Sequence, residues 1–330
     1  MQGIETHGGQ WRELLKEAVR RSLVPVVVVA PLLVVCWQAS QGRPLGKLTL
    51  GIYVGVAALL ILCEYALAFS EEWGTAVKGK LTDFLYVGAA TLTEKATFVL
   101  CAAVAAGFGR VLSEQFGISL WPSGWNFAVQ VVAALLIADV GTYLRHRLFH
   151  ASPVLWRFHQ IHHSATGLYW IRSAYTHPLE QFAIMLAIMF PIALLGAGNA
   201  VMLVVVFVYG LSGLLQHANI DARSAFLNRI FATTEVHRIH HGANEMGNRS
   251  NFSAFFVFMD VLFGTYRRPE LHEAPRRVGL EGVKAFPGDF LTHLSLPFKR
   301  DPVGIQLDDD WPRGRAEVSA ADKPQPVAEF

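Results

Sequence analysis

The sequence predicts an all-α integral membrane bundle of four spans plus a short membrane hairpin, capped by a histidine-rich helical domain. Three observations carry this expectation. Hydrophobic residues make up 52% of the 330 and charged residues 16%, and the mean hydropathy is +0.34, more apolar than an ordinary soluble chain. Long apolar runs recur at the length of about 20 residues that a bilayer core of roughly 30 Å requires of a helix. Finally, eight of the 13 histidines fall in three short boxes between His146 and His241.

Spans are expected over residues 23–39, 48–69, 84–108 and 125–144. The third carries Glu94 and Lys95 side by side near its middle, which is costly in lipid unless they face protein, water or each other. A later apolar block, residues 182–215, is too long for one span. Pro191 and the run Gly196, Ala197, Gly198, Asn199 interrupt it, so it reads as a hairpin of two short helices, each of about 15 to 17 residues and near or below spanning length. The first apolar run follows the polar stretch 10–21 and reads as a retained helix rather than a cleaved leader. Four segments follow: 1–22, a cytoplasmic amphipathic segment; 23–120, the N-terminal membrane helices; 121–268, the histidine-bearing domain; and 269–330, a polar, largely irregular tail with an acidic run at 308–310.

Arg12, Lys16, Arg20 and Arg21 precede the first span and place the N-terminus in the cytoplasm. Lys78, Lys80, Arg145 and Arg147 then fall on the same side, whereas Arg43 and Lys47 fall on the other. Four crossings and a hairpin that leaves and returns on one side gather His146 to His241 at the cytoplasmic surface. The net charge of +2, with no long basic block, excludes a nucleic-acid partner. Cys36, Cys63 and Cys101 lie in apolar runs without metal-ligand or disulfide spacing and read as small core side chains.

The boxes are His146 with His150, then His159, His162 and His163, then His237, His240 and His241; the last two share the pattern His-x-x-His-His. Residues at i, i+3 and i+4 share a helix face, so each box is expected to aim its nitrogens at one point. Eight imidazoles exceed the four to six donors that one ion takes, which implies two ions. Asp139, Tyr143, His146 and His150 form one helical stripe, where Asp139 is expected either to accept the outer N–H of a ligand imidazole or to pair with Arg145 or Arg147. His217, after the hairpin, reads as a ligand or as an interfacial histidine. His177, before it, reads as a ligand, a substrate contact or a helix-start residue. His7, His272 and His293, isolated in polar flanks, are expected at the surface.

The ordered sets Asp139, Tyr143, His146, Arg147, His150; Trp156, Arg157, Phe158, His159, His162, His163; and His177, Pro178, Leu179, Glu180 resemble the fatty acid hydroxylase and sterol desaturase superfamily, particularly its compact bacterial members. So do His217 and Asn219; His237, Arg238, His240, His241; and Asp260, Phe263, Gly264, Thr265, Tyr266. The resemblance spans about residues 126–266. It implies a di-iron oxygenase in a bacterial cytoplasmic membrane, with the eight box histidines and His217 as iron ligands. Asp139, Tyr143, Arg147, Asn219 and Asp260 fall beside that set as its supporting residues. One departure is Asn251, Phe252, Ser253, where the family often has Asn, Tyr, Gly.

Oxidising an unactivated C–H bond is beyond any side chain, so two iron ions and dioxygen are the expected cofactor and co-substrate. The expected reaction is hydroxylation, or desaturation, of a lipid such as a sterol or fatty acyl chain entering from the bilayer. The chain has neither a Gly-rich dinucleotide fingerprint after a strand nor a cysteine set for an iron–sulfur cluster. Electrons are therefore expected from a separate donor, a ferredoxin or a small haem cytochrome with its reductase. A zinc-dependent membrane hydrolase would use about three protein ligands, and a metal transporter would place its ligands at mid-bilayer; neither matches eight or nine histidines at one surface.

Overall fold

The computed structural model describes residues 7–75, 80–117, 119–244, 247–299 and 304–307; the acidic run expected at 308–310 lies outside them. Helix α1 (His7–Val24) continues through a widened π-helical turn (Pro25–Val29) into α2 (Ala30–Ser40). Pro25 and Pro31 have no N–H to give the i to i−4 ladder, and the Ala30 N–H instead reaches back five residues to the Pro25 carbonyl. The expected first span is thus the second half of one longer rod.

Helices α3 (Gly46–Ala66), α4 (Glu71–Thr75), α5 (Lys80–Phe116) and α6 (Phe127–Ala151) follow. At 37 residues α5 is about 55 Å long, more than a bilayer core needs. Its first turns belong to the cap, where Thr82 donates to the Gly288 carbonyl and Asp83 meets Arg172 and Tyr169. Asn126 caps α6, and Ser152 caps α7 (Pro153–His163), which has proline at its first position.

The hairpin consists of α8 (Pro178–Leu194) and α9 (Asn199–His217). The chain turns through Gly196, at φ +91°, a conformation that glycine adopts without strain. Pro191, expected as one of the breaks, lies inside α8. Its missing N–H frees the Ala187 carbonyl four residues earlier, and Gly141 of α6 lies against that oxygen; a Cβ on Gly141 would stand 2.3 Å from it. Proline and glycine together allow α6 and α8 to pack closely. Gly141→Ala should therefore part the two helices at a cost of about 1–3 kcal/mol, read as a lower Tm in detergent. An unchanged Tm would contradict this contact.

The protein is a multi-pass membrane protein. Among the described residues five helical segments are long and apolar enough to cross, and they include α9 at 19 residues, longer than the hairpin arm expected there; α8 is shorter. In α3 and α5 only 17% and 13% of the most apolar window is buried, so their outward faces present bare aliphatic side chains suited to lipid. In α9 the share is 72%, which makes it the central post of the bundle.

The cap is built from α7, α10 (Thr234–His240), α11 (Phe258–Leu262), α12 (Phe290–Ser295) and the loops between them. The first part of the expected irregular tail packs onto it. Leu296 is buried with Ile161 and Tyr175. His293, expected at the surface, is fully buried: its Nε2 donates to the Pro287 carbonyl and its Nδ1 accepts from the Tyr86 hydroxyl. Its polar flanks hid a partner on α5.

Candidate metal centre

Nine histidines converge in the cap as two groups. In the first are His146, His150, His159, His163 and His240; in the second, His162, His217, His237 and His241. Within each group one nitrogen per ring lies within 4.8 Å of every other, and all but the half-buried His150 are buried.

The His-x-x-His-His boxes do not each aim at one point. His159 and His163 of α7 join the first group while His162 joins the second; in α10, His237 and the capping His241 join the second while His240 crosses to the first. Helical periodicity explains the division. At 3.6 residues per turn, i+4 lies about 40° from i on one side and i+3 about 60° on the other, so the middle histidine diverges from its box. Each box thereby links both groups.

Burial first, and then the neighbouring charges, hold the imidazoles of α7 and α10 well below their usual pKa, His162 and His240 at about 3, so these six rings are neutral near pH 7. A neutral ring has one N–H, and an oxygen that can only accept fixes where it is. Nδ1 donates to the Phe252 carbonyl from His146 (2.8 Å), to Ser250 from His240 (2.7 Å), to Tyr175 from His162 (3.2 Å) and to Gly213 from His217 (2.9 Å). His159 Nδ1 donates to Glu180 Oε1 (2.5 Å). The Nε2 atoms of these five rings are therefore bare lone pairs.

Two such atoms, on His146 and His159, stand 3.1 Å apart, and another two, on His162 and His217, 3.3 Å apart. No hydrogen lies between them, and lone pairs at that distance repel. A cation removes the conflict: bonds of about 2.0–2.1 Å from a metal to imidazole nitrogens put adjacent donors about 3 Å apart. The residues fit a metal ion in each group.

The outer shell acts largely through one loop. Residues 250–257 present the Ser250 and Phe252 carbonyls that hold His240 and His146, and the Phe252 ring packs against His146, His150 and His240. Asp260 fixes this loop by accepting from the backbone N–H of Phe252 (2.9 Å) and Ser253 (2.8 Å) and from the Thr265 hydroxyl (2.7 Å). Thr265, its hydrogen committed, accepts from Tyr143, to which the exposed Arg147 donates at 3.4 Å. Asp139 has neither partner expected for it: it accepts from Tyr209 (2.6 Å) and from the N–H groups of Phe255 (3.1 Å) and Phe256 (2.7 Å). It points from α6 toward α9 and the loop, so it reaches the imidazoles only through backbone. Asn251, where the family pattern is kept, takes a left-handed φ of +55° and ties the loop to Val236 and Arg267.

Asn219 pairs with the backbone of Ser70 and fixes the exit from α9 just after His217. His177 lies in neither group. It starts α8, its Nδ1 accepting from the Leu179 N–H and its Nε2 donating to Leu294. The residue missed as a candidate is Glu180, buried in the first turn of α8, where one oxygen takes both His159 and Arg145 (2.9 Å). An acidic residue opening an otherwise apolar membrane helix was the signal that could have found it.

A cavity of about 600 Å³ reaches the histidines from the membrane side. His146, His159, His162, His217 and His237 line its inner end; apolar residues of α3, α8 and α9, such as Leu50, Val54, Ile184, Ile188 and Val206, line the rest. Leu50 and Val54 are 65% and 63% exposed, so the cavity meets the lipid at α3. Glu94 faces into it, while Lys95 lies exposed on the outside.

Known proteins show the family to which this chain belongs. The family model described as Fatty acid hydroxylase matches residues 131–265. The chain is 31% identical over 255 residues to the ornithine lipid hydroxylase OlsE of Rhizobium tropici, covering 76% of this chain and 75% of that protein. It is 29% identical over 163 residues to the alkylglycerol monooxygenase of Caenorhabditis elegans, covering 48% and 30%. To methylsterol monooxygenase 1 of Rattus norvegicus it is 28% identical over 143 residues, covering 43% and 48%. No solved structure matches the chain. Matched across three quarters of a hydroxylase and through every histidine box, the chain belongs to the fatty acid hydroxylase family.

Proposed function

We propose that the protein is a membrane-bound di-iron oxygenase that hydroxylates a C–H bond of a lipid. His146, His150, His159, His163 and His240 hold one ion, and His162, His217, His237 and His241 the other. The observation that carries this reading is the facing lone pairs of two imidazole groups at the inner end of an apolar cavity open to the bilayer. Bound there, the two irons with dioxygen supply the oxidising power that side chains lack.

The chain's own residues bind, orient and exclude water. The walls from α3, α5, α8 and α9 take up a lipid chain and bring its reacting carbon beneath His146, His159 and His162. The buried cap keeps bulk water away. Glu180 and the carbonyls of residues 175, 213, 250 and 252 fix the tautomers of His146, His159, His162, His217 and His240. Overall, R–H, O2, two electrons and two protons give R–OH and water. The electrons come from a separate ferredoxin or small cytochrome, and the centre faces the cytoplasm. The names of the relatives, hydroxylase and monooxygenase acting on lipids, support hydroxylation over desaturation.

Iron-loaded protein given reduced ferredoxin and extracted lipids should yield, by mass spectrometry, a lipid with one added oxygen, and only when dioxygen is present. Hydrolysis of an ester or peptide with no oxidised lipid would refute the reading. Gly213, whose missing Cβ has only Ser173 for a neighbour, borders the cavity. Gly213→Phe should obstruct it beside His217, lowering turnover about 100-fold while both ions are retained. Unimpaired turnover would place the substrate elsewhere.

A further inference from the structure

The histidine groups have two faces, and the cavity uses one. It touches neither His150 nor His163. Those two rings are covered by Trp156 of α7, with ring centroids 5.1 Å from His150, 5.5 Å from His163 and 5.9 Å from His159. Trp156 is half-buried, as is His150, so its ring lies between the surface and the buried rings of His159 and His163.

The surrounding chain has one sign of charge. Between Asp139 and Glu180 lie Arg145, Arg147, Arg157 and Arg172 and no carboxylate; Glu180 offsets Arg145 and Asp83 offsets Arg172, which leaves Arg147 and Arg157. Arg147 is exposed and Arg157 half-buried at the elbow between α6 and α7, and Arg157 donates to the carbonyl of Lys299, which adds a further exposed cation. Leu148 and Val154 stand exposed in the same elbow. Apolar centre, aromatic ring and cationic rim together form a surface complementary to an acidic protein.

We infer that this elbow docks an acidic one-electron carrier protein and that Trp156 conducts its electrons to the metal centre. The inference rests on the two-metal reading above. The carrier's reduced centre loses one electron at each docking and is oxidised. Two dockings, with two protons from water, complete the stoichiometry of hydroxylation. Substrate and electrons thereby reach the histidines from opposite sides, and a bound lipid does not obstruct the carrier.

The test uses the full chain in lipid nanodiscs and an acidic [2Fe–2S] ferredoxin. Binding is measured on metal-free protein, and reduction of iron-loaded protein is followed by stopped flow with ferredoxin or with dithionite. Arg147→Glu with Arg157→Glu should weaken ferredoxin binding about tenfold, as high salt should for the unaltered protein. Trp156→Leu should leave iron content and the dithionite rate unchanged, weaken ferredoxin binding less than the charge reversals do, and slow reduction at saturating ferredoxin severalfold. Binding indifferent to the charge reversals would place the carrier elsewhere and leave Leu148, Val154 and Trp156 as a membrane-interface anchor, overturning the inference. Loss of iron, or equal slowing with both reductants, would show that Trp156 only packs the ligands and would also overturn it. Unaltered protein that holds iron but is not reduced by ferredoxin refutes the partner alone; protein that holds no iron refutes the metal centre itself.

Discussion

His240→Ala should leave no measurable lipid oxidation and should lower the metal content from two ions per chain toward one. His240 is the one ligand that α10 contributes to the first group, and its loss also strips the Ser250 carbonyl of its donor. His162→Ala is the mirror case: it removes the one ligand that α7 contributes to the second group and should empty that site instead. Because each His-x-x-His-His box serves both groups, the two variants should retain different ions and both be inactive. His272→Ala, outside both groups, should keep full metal and full turnover. Metal analysis and lipid mass spectrometry on the same preparations check this. Equal losses in all three variants would dissolve the site assignment.

Glu180→Ala should be nearly as severe, through a different cause. The carboxylate is buried, and one of its oxygens serves both Arg145 and His159. Its removal leaves the half-buried Arg145 guanidinium without its counter-charge, at a cost of up to about 3 kcal/mol. It also frees His159 to take the wrong tautomer, which should weaken metal binding about 10- to 100-fold. Glu180→Gln, which still offers an oxygen to His159 but no charge to Arg145, should recover metal affinity more than stability. Tm and metal titration separate the two effects. Glu180→Ala with unaltered metal affinity would show that Glu180 serves Arg145 alone.

Local properties were legible in the sequence and tertiary ones were not. Hydropathy sums along a helix, so the spans stood out; their ends shifted where Pro25 widened a turn and where α5 ran on into the cap. Pro191 signalled a break, but a freed carbonyl against Gly141 is a property of two helices, invisible in either alone. The box histidines announced themselves by spacing, and their number implied two ions. The division of each His-x-x-His-His box between two groups followed from helical angle, and could have been read from the sequence. The outer shell was hidden by separation along the chain. Glu180 meets its partners 35 and 21 residues away, Asp139 grips backbone 116 and 117 residues away, and His293 finds Tyr86 across 207. Such pairs leave no periodic trace.

The most direct measurement is turnover under oxygen-18 gas, with ordinary water, reduced ferredoxin and the lipid that the protein hydroxylates. The lipid alcohol should carry one labelled oxygen atom per hydroxyl formed, and Gly213→Phe should suppress the labelled product in proportion to turnover. A product whose new oxygen is unlabelled, drawn from water instead, would mean that the two histidine groups activate water for hydrolysis or hydration and that the protein is not an oxygenase.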